Sequence, residues 1–493
     1  MGNISLEIWA DSFHEGQWCC DQLGEIVRSQ GGTHNVTYIN GFQPVHTLNL
    51  KHSIIELTVF GSYKSWKPVP KPILELLSWG KPDFIAYDPE EEEILFAVEE
   101  TAAVPTGNQA LQRCERIYGS ARKKIPFWYL LSEFGQHKDG GIRRDSIWPT
   151  IMSLKLTQSL KIPSVVLHYS NLANPESYTS GIGLNSLFTS LLRLLSNYAL
   201  NKPLLDDMDD YLVSHYENML GFIKSQWKEI VDFIPGEEIL NTKLSEVAKL
   251  YAKSASGETV EFPPDFLVWP KRNNIPSTAA QKQKAKPLIK DDVLCELMEQ
   301  DVNKGKVYCL SSNAGSRPQP MESIKGWISK QQELFGNAPL LEPPAQYDVK
   351  IDDFPVSKSN NYHVTTSKNI IYLYDYWKDL RKTIEQAYPR LKGKLPTNRD
   401  NDSVFMYVSN SITPGRIFGD PYTGQLSAFS TIFGSNSDPE PRMVVAYFPH
   451  QSHSQALPSK KTTNKGLTLF GELSDFLIFA GGVAISLRDG EVY

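Results

Sequence analysis

Cysteine is scarce: five in 493 residues, Cys19, Cys20, Cys114, Cys295 and Cys309, with no Cys-x-x-Cys pair. So sparse and odd a set excludes a small disulfide scaffold, and the thiols read as small hydrophobes in a reducing, cytoplasmic setting. Long apolar runs are missing as well. The longest, Phe476–Leu487, is broken by Gly481-Gly482 and falls far short of the roughly 20 residues of a membrane helix. The opening residues hold no basic stretch followed by an apolar one, so no secretion signal is expected. Leu6 also stands where a myristoylation site wants Ser or Thr. No Gly-x-x-x-x-Gly-Lys occurs, which argues against an ATP-driven motor, and no Gly-x-Ser-x-Gly elbow occurs. An excess of positive charge is lacking too. The net charge of −6 disfavours a histone-like coat of nucleic acid, though not a local basic groove.

What is present is ordinary globular material, 41% hydrophobic and 22% charged. At roughly 100–200 residues per domain the length implies two to four domains. Three regions are expected. Region 1–200 carries a helix at Gln17–Ser29, ended by Gly31-Gly32. Strands are expected at Val36–Ile39, Ser53–Phe60, Asp83–Tyr87, Ile94–Thr101, Pro126–Leu131 and Ser164–His168. A helix is expected at Gly107–Arg122, and another at Leu184–Leu200, where apolar residues recur at helical spacing. Region 201–345 is mainly helical at first, with the acids of Asp206–Asp210 opening a helix to Trp227. A short strand at Pro263–Pro270 and a basic linker at Lys271–Lys290 follow. Region 346–493 is a mixed α/β domain. Its strands are expected at Ile370–Leu373, Val404–Val408, Met443–Phe448 and Phe476–Phe479, with a helix near Tyr376–Tyr388.

The stretch from Gly80 to Leu131 carries the chemistry. Asp88-Pro89-Glu90-Glu91 is turn material between two apolar strands. A hairpin there sets Asp83, at the start of one strand, beside Glu99, at the end of the next. Two carboxylates held close repel unless a cation lies between them. Hard oxygen ligands suit Mg²⁺, which keeps several waters and binds substrate phosphate. Alternation along the strand puts Glu99 and Thr101 on one face with Ala97, and Glu100 on the other with Val98, Phe96 and Ile94. Glu99 is therefore the ligand, with Glu100 in reserve should the strand slip by one. The following helix brings Gln109, Arg113, Arg116, Arg122 and Lys123 to the same neighbourhood. Its start, Pro105-Thr106-Gly107-Asn108, offers caps and free backbone N–H groups.

This arrangement resembles the PD-(D/E)xK nuclease superfamily, the core shared by many restriction endonucleases. Pro82-Asp83 matches the "PD", and Glu99-Glu100-Thr101 falls where "(D/E)xK" stands, 16 residues on. Thr101 takes the place of the family's Lys, a departure that bears on catalytic competence. The resemblance implies an α/β fold with a restriction-endonuclease-like central mixed sheet flanked by helices. It implies an Mg²⁺-dependent endonuclease acting on double-stranded DNA. Asp83 and Glu99 would ligate the metal, with Glu25 of the first helix as an additional ligand. Thr101 or a nearby basic residue would orient the water, and Gln109 and Arg113 would steady the phosphate. An antiphage or repair nuclease with the same core is one alternative, and a DNA-binding protein without catalysis is another.

Three basic stretches favour a polyanion partner: Arg113–Lys124 with Arg116 and Lys123, Lys271–Lys290, and Lys460–Lys465 with Lys460, Lys461 and Lys465. The C-terminal region is expected to serve DNA recognition or self-association as a homodimer. His450 and His453 lack a third ligand for zinc.

Overall fold

The computed structural model describes residues 2–61, 63, 67–101, 112–132, 148–169, 184–225, 237–262, 294, 305–311, 318–320, 361–363, 368–409, 422–433, 442–449, 451–453 and 464–493. The chain divides into two compact units, with the break near Trp269–Pro270. In the first unit the elements are β1 (Gly2–Ala10), α1 (Phe13–Ser29), β2 (Thr33–Ile39), β3 (Gln43–Asn49), β4 (Ser53–Phe60), α2 (Lys71–Leu77), β5 (Phe84–Asp88) and β6 (Glu93–Thr101). They continue with α3 (Cys114–Arg122), β7 (Phe127–Ser132), α4 (Trp148–Leu160), β8 (Ser164–Tyr169), α5 (Leu184–Ala199), α6 (Asp209–Ser225) and α7 (Glu237–Ala255).

The eight strands form one mixed sheet in the order β2-β3-β4-β1-β5-β6-β7-β8. β1 runs parallel to β4 and antiparallel to β5, β5 and β6 form an antiparallel hairpin, and β6, β7 and β8 are parallel. The expected order of strand, turn, strand, helix and strand is thus observed as β5, turn, β6, α3 and β7. Asp88 makes the turn: its Oδ1 accepts from the N–H groups of Glu90 at 2.7 Å and Glu91 at 3.2 Å. A parallel step from β6 to β7 needs a crossover, and α3 lies in it. Leu95–Val98 of β6 and Phe127–Leu131 of β7 are fully buried, the pattern of strands covered on both faces.

Gly2–Ala10 and Gln43–Asn49 are strands that the sequence reading leaves unassigned. β1 hides its nature behind Glu7, a buried charge held by Lys67 Nζ and by Trp9 Nε1–H at 2.8 Å. Pro44 and His46 disguise β3, since Pro is seldom a strand residue. The helix α4 is missed because its polar Thr150, Ser153, Lys155 and Thr157 are all buried, which erases the amphipathic stripe. The helices at 209–255 pack on β8 and α4. They belong to the first unit, not to a middle region starting at residue 201. Cys19, Cys20 and Cys114 are buried thiols whose pKa values burial pushes up.

The second unit holds β9 (Gly305–Ser311), β10 (Pro318–Pro320), β11 (Asn361–His363), β12 (Lys368–Tyr374), α8 (Trp377–Ala387), β13 (Ser403–Val408), α9 (Tyr422–Phe433), β14 (Arg442–Phe448), α10 (Asn464–Leu473), β15 (Phe476–Phe479) and β16 (Val483–Ser486). Six of these strands make a mixed sheet, β16-β15-β14-β13-β12-β9. Trp377, Leu380 and Ile384 of α8 join Val404, Met406, Val445 and Phe476 in its core. Buried Asp475 staples two neighbouring strands: its Oδ2 accepts from Val444 N–H at 2.8 Å, and its Oδ1 pairs with Arg399 at 2.7 Å and Arg488 at 3.1 Å. Among the described residues no helix is long and apolar enough to cross a membrane.

Candidate active site

Ordinary hairpin geometry builds the site. The register pairs Phe84 with Val98 and Ile85 with Ala97. Continued by one residue, it sets Asp83 opposite Glu99, on one face of the sheet. Asp83 N–H donates to Val98 O at 3.0 Å, and Glu100 N–H donates to Asp83 Oδ2 at 2.5 Å. On the other side, β1 pairs Ala10 with Phe84, and Asp11 N–H donates to Asp83 O at 2.9 Å. Tyr63 Oη–H donates to Pro82 O at 2.6 Å and holds the Pro-Asp corner. Three neighbouring strands thus bring Asp11, Asp83 and Glu99 to one end of the sheet.

Glu99 is fully buried, and Asp83 is exposed over only 14% of its side chain. Glu100 is only partly buried, so alternation along β6 selects Glu99 for the site. Burial pushes the Asp83 carboxyl well above the usual range and the charge on Glu99 adds to the rise, while Arg116 and the Glu100 N–H oppose it. Burial also raises Glu99, against Arg116 and Arg113.

A cation lies at the pair, and it is a side chain. Arg116 Nη1 contacts Glu99 Oε1 and stands 3.7 Å from Asp83 Oδ1; Arg113 Nε is 3.2 Å from Glu99 Oε1. Burial works against the Arg116 charge, but Glu99, Glu115 and Asp83 outweigh it and its pKa is raised. Both arginines thus form ion pairs with the Glu99 carboxylate. Both Glu99 oxygens are buried, and Oε1 faces these two guanidinium groups. Glu15, on the first turn of α1, adds a third charge that raises both Asp83 and Glu99, and its Oε2 is buried with no hydrogen-bond partner among the described residues.

Several expectations change here. Arg116 is buried and turned to the carboxylates, so it is no phosphate contact on an open surface. Lys123 is a surface residue paired with Glu75 at 2.7 Å. Glu25 is exposed and paired with Arg28 at 2.5 Å; Glu15 is the helix acid near the pair. A Ser-x-x-Glu start is the signal that could have found it. Ser12 caps α1, its Oγ accepting from Glu15 N–H at 3.2 Å. Thr101 ends β6, and its side chain lies outside the described residues, as do Gln109, Lys460, Lys461, Lys271–Lys290 and Pro263–Pro270. Lys465 falls in the first turn of α10, its side chain likewise outside them.

No protein-family model, curated protein or solved structure matches the chain.

Proposed function

We propose that the first unit is a divalent-cation-dependent endonuclease of restriction-endonuclease-like fold, hydrolysing phosphodiester bonds in double-stranded DNA. The observation that carries this reading is the Asp83–Glu99 pair. Two buried carboxylates with raised pKa values, at one end of a sheet, are costly to a fold, and such costs concentrate at functional sites. The donor set fits Mg²⁺: all oxygen, two carboxylates on neighbouring strands, with the Glu99 carboxylate fully buried. Asp83 and Glu99 would hold the ion, with Glu15 beside them. Bound there, Mg²⁺ supplies a water of lowered pKa and neutralises charge on the phosphodiester.

The chain's own residues do the rest. The N–H of Glu100 and the Pro82–Tyr63 bond fix Asp83 at the sheet end. Arg116 balances the pair's charge. Arg113, exposed over 27% of its side chain, is the guanidinium of the two that reaches solvent and can steady a phosphate oxygen. By the resemblance, Thr101 would orient the water.

A specific observation favours a second reading, a DNA-binding protein that keeps the fold without catalysis. Arg116 already fills the cation's electrostatic role, and Thr101 replaces the family's Lys. Incubating supercoiled plasmid with the full chain, with Mg²⁺ and with EDTA, separates the two. Mg²⁺-dependent nicking or linearisation supports the enzyme, and DNA binding without cleavage supports the second reading. Discrete fragments mark a restriction enzyme, and a smear marks an effector nuclease.

A further inference from the structure

Three ligating side chains converge at a second place, on three different elements. Asp21 lies on α1, His34 on β2 and His46 on β3, with donor atoms all within 4.8 Å of one another. Among the described residues this is the one group of three His, Cys, Asp or Glu side chains so placed. The β2–β3 register pairs Val36 with His46. His34, two residues from Val36, therefore shares a face with His46.

The geometry is built rather than incidental. His34 Nε2 and His46 Nδ1 are 2.9 Å apart, and His46 Nδ1 is 3.7 Å from Asp21 Oδ1. The rings lie edge to edge, 13° from coplanar, with centroids 5.1 Å apart. The His46 side chain is fully buried, while that of Asp21 is 49% exposed. Gly24, one turn along α1 from Asp21, makes room for this: a Cβ there would stand 2.1 Å from His34 Nδ1. Glycine is disfavoured inside a helix, and here it opens the helix face to the imidazole.

The hydrogen bonds assign the tautomers. Arg28 Nη1 is 2.9 Å from His34 Nδ1 and can only donate. His34 Nδ1 therefore accepts, and His34 Nε2–H donates to His46 Nδ1. The His46 proton is then on Nε2, leaving Nδ1 with its lone pair toward the cluster, as a metal ligand requires.

We propose that Asp21, His34 and His46 form a site for a divalent transition metal of the zinc class. Two imidazoles and one carboxylate suit zinc, whereas Mg²⁺ takes oxygen. At bond lengths of about 2.0–2.2 Å, tetrahedral donors stand about 3.3 Å apart, and the observed 2.9 and 3.7 Å lie on either side of that. Asp21 and His34, both partly exposed, supply the small tilt needed, and water completes the shell. On binding, the His34 proton moves to Nδ1. Glu25, whose carboxylate holds Arg28 at 2.5 Å, is placed to accept it once Arg28 pivots outward. The ion ties the edge hairpin β2–β3, whose outer strand β2 is exposed, to α1 and is independent of the Asp83–Glu99 reading.

The test is zinc titration of the metal-free full chain against a chromophoric chelator, with Co²⁺ absorption reporting tetrahedral coordination. One ion per chain is expected, and zinc should slow hydrogen exchange of the β2–β3 amides. His34→Gln and Asp21→Asn should each weaken binding by at least about 100-fold, while Asp83→Asn leaves it unchanged. Both variants alter partly exposed side chains, so the test does not depend on buried His46 tolerating substitution. No stoichiometric uptake by the parent would overturn the proposal. So would undiminished uptake by the His34→Gln/Asp21→Asn double variant, or uptake lost in Asp83→Asn.

Discussion

The backbone N–H of Glu100 donates to Asp83 Oδ2 at 2.5 Å. Glu100 thus serves the site through its main chain, and the neighbouring side chain, Glu99, meets Asp83 across the hairpin. Cleavage should therefore fall to background in Asp83→Asn and Glu99→Gln, and persist within about threefold in Glu100→Gln. Plasmid cleavage rates in Mg²⁺ check this. An inactive Glu100→Gln beside an active Glu99→Gln would reverse the register assignment.

Asp83→Asn should melt no lower than the parent at neutral pH in the absence of metal. Its folded pKa is raised by burial, then by Glu99. The folded state thus holds a proton that the unfolded chain loses near pH 4, and this contribution to stability falls as pH rises above that value. The amide removes that loss and can still accept from Glu100 N–H. Calorimetry from pH 5 to 8 should give a flatter profile for the variant. A clear drop in melting temperature would mean that ionised Asp83 stabilises the fold.

Replacing Arg116 by Met should destabilise the metal-free protein by about 3–5 kcal/mol, because it leaves an uncompensated buried charge. Mg²⁺ should then stabilise the variant more than it stabilises the parent, since the cation position becomes available. Denaturant melts with and without Mg²⁺ give both numbers. Equal Mg²⁺ shifts in the two proteins would place the ion elsewhere.

The helix α3 that carries Arg116 rests on Trp79 at Gly119, where a Cβ would meet Trp79 Cβ at 2.3 Å. Ala is the better helix former by about 1 kcal/mol, but overpacking of about 1–3 kcal/mol opposes it. Gly119→Ala should therefore lower stability and slow cleavage. A gain in stability would show that the contact relaxes freely.

Much of the site was legible because its determinants are local. Asp88-Pro89 turn chemistry and apolar strands on either side were enough to place Asp83 beside Glu99. The arginines followed from the helix after β6, although helical order did not reveal that Arg116 turns inward to the carboxylates. Asp11 and Tyr63 were not legible as site residues, because tertiary packing alone brings them to the hairpin; Glu15 offered only the Ser12 capping pattern at the helix start. The same holds for Asp21, His34 and His46, which no sequence spacing connects. Among the strands, Ser53–Phe60 and Phe476–Phe479 were read from apolar runs, while β1 was obscured by a charge that needs Lys67 to be tolerated.

His168 and His215 make the fold acid-sensitive. Burial lowers both pKa values to about 3, and His215 Nδ1 accepts from Trp128 Nε1 at 3.2 Å. A depressed imidazole contributes stability in full above about pH 6.5, and loses it as pH falls toward the folded value. His215→Gln should flatten the loss between pH 6.5 and 4 relative to the parent in urea melts. Parallel profiles would assign acid lability elsewhere.

DNA affinity should fall steeply with salt, at a log–log slope of about −0.9 per phosphate contact. Changing Lys460, Lys461 and Lys465 together to Ser should flatten the slope by up to about three units, with sequence preference unchanged. An unaltered slope would assign these lysines to solvent.

The central claim is that Glu99 is a metal ligand and not merely the partner of a buried arginine. Initial cleavage rates of supercoiled plasmid by the parent, Glu99→Gln and Glu100→Gln, each with Mg²⁺ and with EDTA, test it most directly. The account predicts cleavage by the parent and Glu100→Gln in Mg²⁺ only, and none by Glu99→Gln in either condition. Undiminished cleavage by Glu99→Gln, or a parent that binds DNA but leaves it intact in Mg²⁺, would contradict it.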